Sequence, residues 1–107
     1  MTSNRPSVRT VQQAEATTYA LRLVKAERLR QDVLKHEGRF EFTCADDGLT
    51  NAEKLACLTE ELGEVAQEVL TQEGRRLARD TVGTREALRK EVVQVAAVAV
   101  AWIEALE

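Results

Sequence analysis

The chain has 107 residues and a formal net charge of −3, with 15 basic and 18 acidic side chains. That length leaves room for one hydrophobic core. The interspersed charges lack the basic footprint of a nucleic-acid binder. One proline, five glycines and four aromatics among abundant alanine, leucine, valine and glutamate favour helix over a sandwich or barrel.

Met1-Thr2-Ser3-Asn4-Arg5-Pro6 has no apolar core of the signal-peptide kind, and the apolar run from Val92 to Ile103 is too short to span a bilayer. Cys44 and Cys57 make no disulfide framework. The expectation is a cytoplasmic protein with no membrane and no nucleic-acid polymer as partner. Residues 1–12 read as a flexible leader and residues 13–107 as a single helical domain.

A first helix is predicted from about Ala14 to Lys35, and nothing in the residues forbids an earlier start near Val8. Leu21, Val24, Ala26, Leu29, Val33 and Leu34 recur there at spacings suited to one face. Gly38 stops it. The following Phe40-Glu41-Phe42-Thr43-Cys44-Ala45-Asp46-Asp47-Gly48 reads as a loop, because a lone strand would have no partner and Asp-Asp-Gly is turn chemistry. It is long for a helical domain, so Phe40 and Phe42 are candidates for covering a substrate.

Thr50-Asn51-Ala52-Glu53 predicts a capping box and a second helix from Asn51 to about Gln72. Leu55, Leu58, Leu62, Val65 and Val69 alternate by three and four, a seam for packing on other helices. Gly74 to Gly83 reads as a charged joint, Thr84 as a cap, and Arg85 to about Ala105 as a third helix. From Val92 to Ile103 that helix is apolar on every side. Two neighbours from one short chain hardly surround it, so the fold expected is all-α, a four-helix-type bundle completed by a homodimer or homotetramer.

Polar residues interrupt these faces at one level. Glu61, Glu64 and Glu68 fall within about 60° of one another on the second helix, and Glu60 lies further round. Glu91 and Gln94 are three apart where the apolar run of the third helix begins. A carboxylate in such surroundings is costly unless paired or bound to a cation. Oxygen donors on facing helices suit a hard ion, Mg2+ or Mn2+. Solvated helix glutamates, or a pairing of Glu91 with Arg89 or Lys90, are the plainer readings. A zinc site from His36 and Cys57 has no supporting spacing.

Glu60-Glu61-Leu62-Gly63-Glu64-Val65-Ala66, followed by Glu91-Val92-Val93-Gln94, resembles the MazG-like nucleotide pyrophosphohydrolases of the all-α NTP pyrophosphatase superfamily. The resemblance runs from about Glu27 through Leu106 and includes Lys54-Leu55 and the closing apolar helix. The family pattern is ExxE, a spacer, then ExxD. Glu61 and Glu64 match the first pair and Glu91 opens the second, while Gln94 stands where aspartate is usual.

The resemblance implies magnesium-dependent hydrolysis of a nucleoside or deoxynucleoside triphosphate to monophosphate and pyrophosphate, in nucleotide-pool house-cleaning. Glu61, Glu64, Glu91 and Gln94 would hold the ion, and Glu60, Glu61 and Glu64 would carry the catalysis. Lys54, Arg89 and Lys90 would meet phosphate, with Phe40 and Phe42 at the base. Gln94 keeps open a second reading, a weakly active or inactive helical dimer that binds nucleotide or a protein. A phosphoribosyl-ATP pyrophosphatase-like enzyme ranks lower, because Ala-Ala-Val follows Gln94 where that family continues toward Tyr-His.

Overall fold

A computed structural model describes residues 8–77 and 84–107, which form three helices with no strand among the described residues. They are α1 (Val8–His36), α2 (Asn51–Leu77) and α3 (Thr84–Ala105). The first helix begins at Val8 instead of the expected Ala14, so residues 8–12, assigned to the leader, are helical; residues 1–7 lie outside the described residues. The second continues about one turn beyond Gln72 into the expected joint, whose residues 78–83 also lie outside them.

The helix ends follow local chemistry. Gly38 has φ +78°, a left-handed conformation that suits glycine. It lets the Gly38 amide donate to the Lys35 carbonyl at 3.0 Å and the Arg39 amide to Leu34 at 2.8 Å, a Schellman closure. At the start of α2 the Glu53 amide donates to Thr50 Oγ1 and the Thr50 amide to Glu53 Oε1, both at 3.1 Å. This is the expected capping box.

The third helix is the middle of the structure. The first and second each pack on α3 rather than on one another. Trp102 Nε1 donates to Asn51 Oδ1 at 3.1 Å, and Gln72 Nε2 donates to the Thr84 carbonyl, so α2 and α3 run antiparallel along most of their length. The first helix runs alongside α3 in the same sense: Tyr19 and Leu23 share a groove with Leu88 and Val92, and the Arg28 guanidinium reaches Glu104, with Nε to Oε2 at 2.7 Å. Where α3 is most enclosed it carries Ala97 and Ala101, one turn apart and completely buried. A small side chain is what such close approach requires.

Between α1 and α2 the chain is pinned. Lys35 pairs with Asp46, the Thr43 amide donates to Asp46 Oδ2, and the Ala45 amide donates to Thr43 Oγ1. Thr43 and Cys44 are buried by this arrangement. Phe40 and Phe42 lie in a loop, as expected, and both stay partly exposed.

The apolar seam of α2 is not buried within the chain. Leu58 and Val65 turn toward the interior, but Leu55 and Leu62 are 54% and 57% exposed and Val69 is exposed too. On α3, Val92 and Ile103 are exposed and most other apolar residues are half-buried. The radius of gyration is 17.5 Å, against about 13 Å for a compact chain of this length. The accessible surface is 8504 Å2, where a compact monomer of this mass exposes about 6,000 Å2. The chain is an open layer with much apolar surface uncovered. No helix among the described residues is long and apolar enough to cross a membrane.

Candidate metal centre

The antiparallel pairing of α2 and α3 sets Glu61 and Glu64 opposite Glu91. One carboxylate oxygen from each lies within 4.8 Å of those of the other two. Glu61 and Glu91 are half-buried and Glu64 is exposed, so the cluster has two inner members and one outer. Glu61 Oε2 and Glu91 Oε2 are fully buried and accept no hydrogen bond. Buried acceptors are nearly always bonded, and leaving one unmet costs on the order of 1–3 kcal/mol, more when charged. Three carboxylates at this separation repel one another, and a shared proton, solvent at the exposed Glu64 or a cation would relieve that.

The electrostatics agree. Burial, reinforced by the charges of Glu64, Glu91 and Glu60, pushes the Glu61 carboxyl up to about 7. Burial and the Glu64 charge raise Glu91 too, with Glu68 adding to the effect and Lys90 opposing it. Near neutral pH Glu61 therefore stands partly protonated, and a cation would take the place of that proton.

The other expected site residues fall at varied positions. Glu60 is exposed beside the cluster and acts on it only through its charge. Gln94 is half-buried one turn beyond Glu91, on the same side of α3. Glu68, which shares the face of Glu61 and Glu64, is half-buried and accepts a bond from Gln72 Nε2 at 3.3 Å. Arg89 and Lys90 are exposed. Lys90 acts on Glu91, whereas Arg89 lines the grooves between α1 and α3.

Lys54 is only 3% exposed. It sits two turns before Glu61, where its charge acts on Cys44 and Asp46. Trp102 packs at the base of α2 through its bond to Asn51. The two cysteines are reduced neighbours, and burial together with Cys57 pushes the Cys44 thiol up to about 11.

Beside the cluster is a cavity of about 130 Å3 lined by Gln31, Phe40, Phe42, Cys44, Cys57 and Glu61 among others. Glu61 thus belongs both to the carboxylate cluster and to this cavity. Gln31 was not singled out by its sequence context, the charged run Arg30-Gln31-Asp32 on α1, because only the packing of α1 over the loop turns it inward. A larger groove, about 960 Å3, lies elsewhere, between the middle of α1 and the first half of α3, and is mainly apolar. It offers surface to cover, with none of the clustered carboxylates.

No protein-family model matches the chain, and neither the curated proteins nor the solved structures include a significant match.

Proposed function

We propose that the protein is a magnesium-dependent nucleoside triphosphate pyrophosphohydrolase acting as a homo-oligomer. The observation that carries this reading is the pair of buried carboxylate oxygens, Glu61 Oε2 and Glu91 Oε2, with no protein partner. The residue pattern shared with the MazG-like enzymes points the same way. The donors are all oxygen, which suits Mg2+ or Mn2+.

Glu61, Glu64 and Glu91 would hold the ion, with the Gln94 carbonyl as a neutral fourth donor. When bound, magnesium supplies charge neutralisation of the phosphate oxygens at the bond to be broken. Glu64 is the exposed member and meets solvent, so it is placed to orient a water. Glu60 lies outside the cluster and assists through its charge. Lys90 is the basic residue nearest the carboxylates in electrostatic terms and suits a phosphate contact. Lys54 is buried, with its charge acting on Cys44 and Asp46.

The uncovered Leu55, Leu62 and Val69 stripe on α2 and the apolar groove beside α3 support assembly of at least two copies. The surface in excess of a compact monomer, about 2,500 Å2, is of the size that obligate subunits bury.

Pyrophosphate release from a panel of NTPs and dNTPs, with and without Mg2+ or Mn2+, tests the reading. Glu64→Gln should abolish turnover with helicity intact, and Gln94→Asp should preserve or raise it. Absence of turnover on every substrate, together with calorimetric silence toward magnesium, refutes the enzyme. Nucleotide binding without turnover assigns the chain to the alternative, a helical oligomer that binds nucleotide.

A further inference from the structure

Cys44 and Cys57 meet from two different elements. Cys44 lies in the loop between α1 and α2, Cys57 lies on α2 itself, and both line the cavity that includes Glu61. They are the only two cysteines of the chain. Both are free thiols, and their side chains are hydrogen-bonded to each other. That contact brings the two sulfurs together, which is the first requirement for a disulfide. A bond between them would leave no odd thiol in the chain.

Their surroundings give them different chemistry. Cys44 is 5% exposed, whereas Cys57 is half-buried and lines a cavity open to solvent. Burial together with Cys57 pushes the Cys44 thiol up to about 11, so near neutral pH it keeps its proton and is a poor first nucleophile. The buried ammonium of Lys54 and the guanidinium of Arg28 act on Cys44 in the opposite sense, and favour its sulfur as an anion once a reaction partner is beside it. Access therefore belongs to Cys57, and electrostatic support to Cys44.

We propose that Cys44 and Cys57 form a thiol–disulfide redox pair oxidised by peroxide, with Cys57 attacking first and Cys44 closing the bond. In the first step the Cys57 sulfur attacks one oxygen of hydrogen peroxide. The S–O bond forms, the O–O bond breaks, and the thiol proton leaves with the other oxygen as water, giving a sulfenic acid on Cys57. In the second step the Cys44 sulfur attacks the Cys57 sulfur. The S–S bond forms, the S–O bond breaks, and the Cys44 proton leaves with the hydroxyl as a second water. Two thiols are oxidised to one disulfide while one peroxide is reduced to two waters. The product ties the loop carrying Phe40 and Phe42 to α2 one turn before Glu61. In a reducing compartment the pair rests as thiols and the bond is transient. None of this rests on the pyrophosphohydrolase reading.

The test treats the reduced full chain, freed of reductant, with a small excess of hydrogen peroxide at neutral pH. Intact mass, thiol alkylation and a non-reducing peptide map are then recorded. Both thiols should disappear together, with loss of two hydrogens, one cross-linked peptide pair holding Cys44 and Cys57, and no covalent dimer on a non-reducing gel. Dithiothreitol should restore both thiols, and the amides of Thr43 to Asp46 should exchange with deuterium more slowly in the oxidised protein. The Cys44→Ser chain should accumulate a dimedone-trapped sulfenic acid on Cys57, and the Cys57→Ser chain should react with peroxide roughly tenfold more slowly. Thiols left intact while glutathione in the same tube is oxidised, a bond joining two copies, or a sulfinic acid without disulfide overturns the proposal. Faster oxidation of the Cys57→Ser chain than of the Cys44→Ser chain overturns it as well. The wild-type peptide map decides the pairing even if a variant fails to fold.

Discussion

Replacing Glu61 by glutamine should stabilise the metal-free protein at alkaline pH while destroying its response to magnesium. The Glu61 carboxyl titrates near 4.5 in an unfolded chain and near 7 in the folded one. Below about pH 4.5 it is neutral in both states and carries no penalty. Between these values the unfolded chain gives up its proton first, so stability falls as pH rises. Above about 7 the carboxylate is ionised in both states and the whole penalty remains.

A gap of about 2.5 pH units corresponds to about 3.4 kcal/mol at most, and the partial solvent contact of Glu61 reduces it to about 1–2 kcal/mol. Glu91, raised by the same neighbours, adds in the same direction. Urea denaturation at pH 5 and pH 8, at one protomer concentration with chelator present, measures this. Wild type should lose about 1–2 kcal/mol between the two, and Glu61→Gln should lose distinctly less while gaining stability at pH 8. Magnesium at about a hundred times its Kd should return about 2.7 kcal/mol to wild type and little to the variant. If Glu61→Gln destabilises equally at both pH values, and magnesium leaves wild type unmoved, Glu61 is an ordinary packed side chain and the cluster is no metal centre.

Other consequences are simpler to state. Leu62→Lys places a charge in the middle of the exposed α2 stripe, and sedimentation velocity should show the assembly shifted toward monomer with reduced thermal stability. An unchanged sedimentation coefficient would exclude that stripe from the interface. Arg28→Met removes the buried guanidinium that bridges α1 to Glu104 and to Asp32; thermal denaturation should show a loss of about 1–3 kcal/mol. Glu104→Gln, on the exposed side of the same bridge, should cost under about 1 kcal/mol. Thr50→Ala opens the capping box of α2 and should cost about 1 kcal/mol by denaturant titration.

Much of the helical plan was legible in the residues because it depends on neighbours a few positions apart. Thr50 and Glu53, Gly38, and the apolar period of α2 are local features, and each marks a helix start, end or face without reference to the rest of the chain. The same holds for the spacing of Glu61 and Glu64, which places two carboxylates on one side of any helix they occupy. The third carboxylate of the cluster, Glu91, is a sequence expectation only through the cost of a charge in an apolar run; the antiparallel pairing of α2 with α3 is what puts it beside the other two.

Tertiary structure alone decided matters that require two elements to meet. Lys54 carries the same signal as any helix-surface lysine, yet it is buried where its charge acts on Cys44 and Asp46 of the loop. Gln31 looks like one polar residue in a charged stretch, and becomes a largely buried residue lining a cavity beside Glu61 once α1 packs against that loop. The α2 seam was readable as apolar, but whether it faces its own chain or solvent follows from both flanking helices choosing α3. Local spacing determines which side chains share a face, and only the packing of faces determines what each one meets.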